Sequence, residues 1–226
     1  MTKEECVIIC GDFGGVWHKD AESPGETKVL DWLDSRPFTT LFVCGNHENF
    51  DRLYAYPVET WHGGKVHKIR ESVIHLMRGQ VFEIDGRTVF SFGGASSHDI
   101  QGGILDPAAP DFEERYAAAR RGILPFRVNH YSWWKQELPS EEEMEEGRRN
   151  LRKYGDQVDF IITHSCSAGT QAIIGNGRYS RDRLHIYLEE IKQKCRFKKW
   201  FFGHYHDDRN INAKEILIWE QIIRIV

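Results

Sequence analysis

The 226-residue sequence has no long apolar run, no excess of positive charge and no closely paired cysteines. No stretch approaches the roughly 18 apolar residues that a membrane-spanning helix needs, and residues 1–5 do not open a signal peptide. Thirty Lys and Arg against 34 Asp and Glu give a net charge of −4. That charge argues against a general binder of nucleic acid or acidic membranes. We therefore expect a cytoplasmic protein without a membrane partner, with nucleic acid disfavoured but not excluded and the oligomeric state unknown.

The cysteines are five in number and form no C-x-x-C pair. Several lie in or at the end of predicted buried strands, which is typical of small core residues in a reducing compartment. A thiolate ligand at Cys44 or Cys166 stays open as an alternative, because each lies within three residues of a candidate metal ligand. The sequence also lacks a P-loop, a Gly-x-Ser-x-Gly and a His-Glu-x-x-His, so rival chemistries have no motif.

Strand-like and helical segments alternate in the first and last thirds, and this order predicts a layered α/β fold with mixed sheets. Asp85-Gly86 between two alternating runs predicts a two-residue hairpin, and Ser140 with Glu143 predicts a helix capping box. Predicted strands cover 6–10, 39–44, 73–76, 81–84, 87–92, 158–163, 198–202 and 215–219, with a further one at 221–226. Predicted helices cover 26–35, 48–55, 112–121, 140–153 and 180–194.

We expect one domain over 1–226, with a less regular segment at 98–139. This segment contains four prolines and the Trp133-Trp134 pair. Two interpretations stay open for it: an insertion that acts as a lid, or a long connection whose aromatic side chains cover the core.

Four apolar strand-like stretches run directly into residues that bind metal ions. The stretches end in Gly11-Asp12, Gly45-Asn46-His47-Glu48, His164 and Gly203-His204-Tyr205-His206. Ligands bind at the carboxyl ends of the strands of an open α/β sheet. In extended backbone, residues two apart share a face, so two imidazoles at 204 and 206 can reach neighbouring cations. The pattern predicts a dinuclear metal site, and hence phosphoester chemistry.

In this order, the four segments resemble the second to fifth motifs of the calcineurin-like metallophosphoesterase superfamily, over residues 5 to about 207. The resemblance implies a sandwich of two mixed β-sheets flanked by helices. It also implies that Asp12 bridges two metals, that Asn46, His164 and His204 complete one site, and that His206 belongs to the other. By the same resemblance His47 is catalytic, as proton donor to the leaving oxygen or as a stabiliser of its charge.

Two departures from the family pattern concern the second metal. The first motif, Asp-x-His on an opening strand, has no counterpart, because residues 1–10 contain no His and no Asp. The phosphatase-type Asp-Arg extension of the second motif is also missing, since Gly15 and Val16 stand at those positions. One site thus keeps four protein ligands and the other only Asp12 and His206. The fold should accordingly lack the usual first strand and helix, and we expect weak or absent occupancy of the second site.

The mixed oxygen and nitrogen ligand set suits Mn²⁺, with Fe or Zn²⁺ as alternatives. Further candidates for contacts to substrate are Arg52, Arg178 and His98, although a solvated arginine or a loop histidine explains each equally simply.

The leading hypothesis is a metal-dependent hydrolase of phosphomonoesters or phosphodiesters, with impaired activity and a small or medium substrate. The alternative is a scaffold of the same fold that binds one metal, or a phosphate-bearing ligand, without turnover. A third interpretation is that the family's opening strand and helix precede Met1. The sequence does not identify the substrate.

Overall fold

A computed structural model describes residues 2–225 of the chain. These residues form thirteen strands, numbered in chain order: β1 (Cys6–Ile9), β2 (Thr39–Phe42), β3 (Val58–Trp61), β4 (Gly64–Arg70), β5 (Val73–Leu76), β6 (Gln80–Ile84), β7 (Arg87–Phe92), β8 (Ile104–Leu105), β9 (Arg127–Val128), β10 (Phe160–Thr163), β11 (Lys199–Phe202), β12 (Arg209–Asn210) and β13 (Glu215–Leu217).

The same residues form six α-helices and one short 3-10 helix at Lys135–Glu137. The α-helices are α1 (Pro24–Asp34), α2 (Phe50–Leu53), α3 (Phe112–Arg121), α4 (Glu141–Lys153), α5 (Ala168–Gly175) and α6 (Arg183–Lys194). In the described part of the chain no helix is long and apolar enough to cross a membrane.

Two mixed sheets carry the fold. The first has five strands in the order β1-β2-β5-β4-β3, and the second has six in the order β12-β13-β11-β10-β7-β6. The pairs β1–β2 and β10–β11 are parallel, so their carboxyl ends point the same way within each sheet. A two-stranded sheet of β8 and β9 lies apart from both.

The sheets face each other across a shared apolar layer. Leu41 and Ile74 of the first sheet belong to the same buried cluster as Val89, Ile162 and Phe201 of the second. A second cluster packs α4 and α6 on the outer face of the second sheet, and a third packs α1 and α2 on the outer face of the first. The fold is therefore the predicted layered α/β sandwich of two mixed sheets flanked by helices.

The predicted local signals are present at their expected positions. Asp85 and Gly86 join β6 to β7 with φ of 49° and 67°, and two successive positive φ values define the type I′ hairpin turn. Ser140 and Glu143 form the capping box at the start of α4. Predicted helix 48–55 is shorter in the structure, covering only α2.

Several elements differ from the sequence prediction. The strand predicted at 221–226 is wrong over the described residues 221–225, where Ile223 and Ile225 pack on the core without pairing to a strand; residue 226 lies outside the described residues. The hairpin of β3 and β4 was not predicted; it turns at His62 and Gly63, with φ of 46° and 89°. Helix α5 was not predicted either, because its sequence has almost no polar face.

Candidate metal centre

The loops that follow β1, β2, β10 and β11 meet at one edge of the sandwich. The Nε2 atom of His164 lies 3.3 Å from Oδ1 of Asp12 and 3.3 Å from Oδ1 of Asn46. The rings of His164 and His204 have centroids 5.0 Å apart. The structure therefore brings Asp12, Asn46, His164 and His204 together, although they span nearly the whole sequence.

Two glycines allow this close approach. Gly11 has a φ of 93°, and a Cβ added there would collide with the ring of His164. A Cβ at Gly45 would collide with the carboxylate of Asp12. Both glycines precede candidate ligands, so the absence of a side chain lets one loop lie directly against the next.

Asp12, which is partly exposed, and the buried His164 form a pair of opposite charge. Burial opposes ionisation of Asp12, but the neighbouring His164 imidazole, and His47 more weakly, bring the pKa of the carboxyl well below its usual range. Burial disfavours the charged form of His164, yet Asp12 and the carbonyl oxygen of Cys10 raise its pKa. The Cys10 carbonyl lies 2.7 Å from Nδ1 of His164, which leaves Nε2 to face Asp12 and Asn46. This orientation is the one that second-layer hydrogen bonds impose on metal-binding histidines.

His204 is in a different electrostatic environment. Burial, reinforced by the charge of His164, lowers the pKa of His204 to about 3. Its ring is therefore neutral at physiological pH, which is the form that binds metals.

The donor set and its spacing fit a single divalent cation. Donors held about 2.1 Å from a tetrahedral cation lie roughly 3.4 Å from one another, close to the two 3.3 Å separations measured from Nε2 of His164. Within residues 2–225, however, no three His, Cys, Asp or Glu side chains are placed to bind one ion together. The third close donor is the amide oxygen of Asn46, and His204 is the outermost member of the set.

The thiolate alternative finds no support in the structure. Cys44 and Cys166 are buried, and burial raises the pKa of each thiol to about 12. The protonated form that results is a poor metal ligand.

His47 lies beside the cluster and is half-buried. Its backbone N–H donates to Oδ1 of Asp12 at 3.0 Å, and its ring lies 5.8 Å from that of Trp17. Burial lowers the pKa of His47, the carboxylate of Asp12 raises it, and the guanidinium of Arg127 lowers it further. The neutral ring can exchange a proton with a group bound beside it.

Glu48, the last residue of the Gly-Asn-His-Glu motif, forms hydrogen bonds to the loops that follow β1 and β2. Its buried carboxylate accepts hydrogen bonds from the backbone N–H groups of Phe13 at 2.8 Å and Gly45 at 3.1 Å. Burial, together with the charge of Asp12, raises the pKa of Glu48 to about 7. Glu48 thus connects the loop that carries Asp12 to the loop that carries Asn46.

Two further residues predicted for the site, His98 and His206, are exposed. His98 is exposed, with its ring 6.3 Å from that of His204. His206 is exposed and stacks on Trp219 with a centroid distance of 5.7 Å. The extended backbone expected at 204–206 is absent, since both histidines have positive φ, 72° and 49°.

Arg52 and Arg178 do not contact the cluster of candidate ligands. Arg52 bonds to the carboxylate of Glu26 and the carbonyl oxygen of His18, both at 3.0 Å. Arg178 is exposed on the turn after α5. Among the described residues, neither arginine forms a hydrogen bond, an ion pair or a ring contact with a predicted metal ligand.

A buried network that the sequence analysis missed joins the ligand loops. Nδ1 of His185 lies 2.7 Å from the carboxylate of Asp182. Its Nε2 lies 3.1 Å from the hydroxyl of Ser165 and 3.2 Å from that of Tyr205. These two residues directly follow His164 and His204, and Ser96 adds a hydrogen bond to Asp182 at 2.7 Å.

The arrangement has the connectivity of a Ser-His-Asp triad, but Ser165 is completely buried and has no access to a substrate. One imidazole at the start of α6 therefore fixes loops that follow β7, β10 and β11. The contacts of His185 with Ser165 and Tyr205 join residues far apart in the sequence and leave no local signal, and only Asp182 is a near neighbour in the chain.

The fold and the motifs at its strand ends are of the metallophosphoesterase type. The family model of calcineurin-like phosphoesterases matches residues 2–208, and the chain belongs to this family. No curated protein and no solved structure matches it.

Proposed function

We propose that the chain is a metal-dependent hydrolase of phosphomonoesters or phosphodiesters. The observation that carries the proposal is the convergence of Asp12, Asn46 and His164, three donors from three strand ends at spacings suited to one cation. Membership of a family of phosphoesterases agrees with it. The mixed donor set favours Mn²⁺, with Fe or Zn²⁺ as alternatives. We place the protein in the cytoplasm, acting on a small or medium phosphoester.

Asp12, Asn46, His164 and His204 would hold the cation. A bound divalent cation supplies Lewis acidity toward a phosphoryl oxygen and toward water. His47 stands beside the ligands with a neutral imidazole, so it can donate a proton or a hydrogen bond to the leaving oxygen. The exposed ring of His98 is on the open side of His204 and is available to the substrate.

The second metal has a much smaller ligand set. Among residues 2–225 the family pattern leaves Asp12 and His206 for it, and His206 stacks on Trp219. We therefore propose weak second-site occupancy and impaired turnover for residues 1–226. The same observation favours the second candidate function, a scaffold of this fold that binds one metal or a phosphate-bearing ligand without turnover.

Metal content and hydrolysis measured on the same sample separate these functions. The chain is loaded with Mn²⁺, its metal content is determined by mass spectrometry, and hydrolysis of p-nitrophenyl phosphate and bis(p-nitrophenyl) phosphate is followed. We expect about one tightly held metal per chain and slow hydrolysis. Asp12→Asn should lose both, whereas Asp111→Asn, at an exposed helix N-cap without a capping hydrogen bond, should lose neither.

His47→Gln should retain the metal and lower kcat by a factor of about 10² or more. One metal with no hydrolysis of either ester would favour the scaffold. Close to two metals with rapid turnover would contradict the impairment, and no metal at all would contradict the site.

A further inference from the structure

The segment between β7 and α4 encloses an open cavity of about 1000 Å³. One wall is α3, whose ten described residues include no buried one. Phe112, Tyr116 and Ala119 recur on one face of α3 and line the cavity. Tyr116 stacks with Phe112 at 5.5 Å and meets Phe126 edge to face at 5.7 Å. An amphipathic helix normally buries its apolar face in the core, but α3 turns this face toward an open space.

The charges on the cavity wall cancel. Lys19 and Arg120 line it together with Asp106 and Glu113. A bare anion therefore finds no net attraction there, and the apolar side chains dominate. Leu124, which is 55 % exposed, adds to this surface.

Strand β9 connects the cavity to the loop that carries His98. Phe126 and Val128 line the cavity, while the guanidinium of Arg127, between them, pairs with the carboxylate of Asp99 at 2.6 Å. Successive side chains of a strand point to opposite faces. One face of this short segment thus borders the cavity, and the other pairs with the residue after His98, whose ring lies 6.3 Å from that of His204.

A second connection runs through the loop after Asp12. The ring of Trp17 lies 5.8 Å from the ring of His47. Lys19 follows two residues later, a span of at most about 7 Å, and lines the cavity with its Nζ 5.9 Å from the centroid of the Tyr131 ring. The rim of the cavity is thus within reach of a molecule whose phosphate lies at His47.

We propose that this cavity binds the apolar group, an acyl or aryl moiety, of a phosphoester whose phosphate lies beside His47. The volume is at the upper end of the range for small-molecule pockets, so the group is large. The position of the phosphate rests on the proposed function, whereas the cavity and its apolar lining do not.

Binding of an apolar phosphate tests the inference without turnover. Dodecyl phosphate, below its micelle concentration, and inorganic phosphate are titrated into the chain by calorimetry. Each methylene moved from water into an apolar cavity strengthens binding by a factor of about four at most. We expect dodecyl phosphate to bind at least 100-fold more tightly than inorganic phosphate, with one molecule per chain.

Variants locate the bound group. Leu124→Asp places a charge in the apolar wall, and Ala119→Trp fills the cavity from α3. Each should reduce the preference for dodecyl phosphate tenfold or more. Ile222→Asp is the matched control, because Ile222 is 91 % exposed and does not line the cavity; it should leave the preference unchanged.

A hydrolysis series separates this inference from the proposed function. If p-nitrophenyl dodecyl phosphate and p-nitrophenyl methyl phosphate are hydrolysed equally well, and dodecyl phosphate binds no better than phosphate, the inference is wrong and the function stands. If dodecyl phosphate binds in the cavity but no ester is hydrolysed, the apolar ligand is confirmed and the function is wrong. The inference is also wrong if the chain forms dimers that Leu124→Asp dissociates and does not bind dodecyl phosphate. In that case the apolar surface binds a second copy of the chain.

Discussion

Replacing His185 by leucine removes the centre of the network that joins the ligand loops. The side chain is 3 % exposed. Its hydrogen bond to the carboxylate of Asp182, at 2.7 Å, contributes about 1.5–3 kcal/mol, because one partner is ionised. The hydroxyls of Ser165 and Tyr205 lose an acceptor but remain 3.4 Å apart. The amide nitrogen of Gln171, 2.9 Å from Nε2 of His185, keeps the carbonyl oxygen of Ser180 as a partner. At most one of these groups therefore stays without a partner, at about 1–3 kcal/mol.

These contributions give a loss of about 2.5–6 kcal/mol in the free energy of unfolding. For a domain of this size that corresponds to a fall in Tm of about 10 °C, and the variant should still fold. The second effect is on metal binding, since replacing groups that orient metal ligands typically lowers affinity 10- to 100-fold. We expect a weakening of Mn²⁺ binding in this range, together with faster hydrogen exchange in the loops at 163–167 and 203–206.

A control must separate orientation of the ligands from general destabilisation. His75 is also a buried histidine, on β5 of the other sheet, with its Nδ1 3.0 Å from that of His67. His75→Leu removes the hydrogen bond to His67; it changes the packing of a buried site and should leave both metal affinity and loop exchange unchanged. His185→Gln, which retains an acceptor for the two hydroxyls, should recover part of the affinity. Calorimetry is done at least 15 °C below the Tm of each variant.

The reasoning is refuted if His185→Leu is destabilised but binds Mn²⁺ within about twofold of the wild type and exchanges normally in both loops. In that case α6 contributes only to stability.

Three further predictions concern the histidine pair, one glycine of the site and one helix cap. Burial lowers the pKa of both His67 and His75, so the unfolded chain binds more protons than the folded one. The contribution of this pair to stability should therefore be complete above pH ~6.5 and fall below it. Urea unfolding from pH 5 to 8 should show no such fall in His75→Phe if this pair causes most of it. Gly45→Ala forces a Cβ into the carboxylate of Asp12 and should abolish metal binding. In the control Gly86→Ala the Cβ meets open space, so this variant should lose about 1 kcal/mol of stability and retain the metal. Equal metal affinities of the two variants would contradict the packing argument. Ser140→Ala removes the side-chain cap of α4 and should cost about 1 kcal/mol by thermal unfolding, with no change in metal affinity.

Much of the fold was predictable because its signals are local. The turn at Asp85-Gly86 and the cap at Ser140 each depend on a few adjacent residues, and both are present in the structure. The hairpin at His62-Gly63 was missed since histidine rarely marks a turn with two positive φ values. The segment after Gln221 was predicted as a strand from its alternating isoleucines, but these side chains pack on the core without a partner strand.

The candidate site divides in the same way. Each ligand motif follows a strand, and parallel pairing of β1 with β2 and of β10 with β11 is enough to bring Asp12, Asn46 and His164 to one edge. His185 could not be found from the sequence, because its role depends on Ser165 and Tyr205, which only the tertiary fold brings to its ring. The roles predicted for His47 and for the metal ligands stay predictions.

The two halves of the site differ in what holds them. The donors around His164 are fixed by strand pairing, by Glu48 and by glycines that permit contact between loops. Residues 204–206 lie in a turn beyond the end of β11, where His204 and His206 have positive φ values and His206 stacks on Trp219 at the surface. The hydrogen bond between Tyr205 and His185 and the stacking of His206 on Trp219 both help to hold this turn. Affinity for a first cation should therefore depend on the sheets and, through His204, on this loop, whereas affinity for a second cation depends on the same loop through His206.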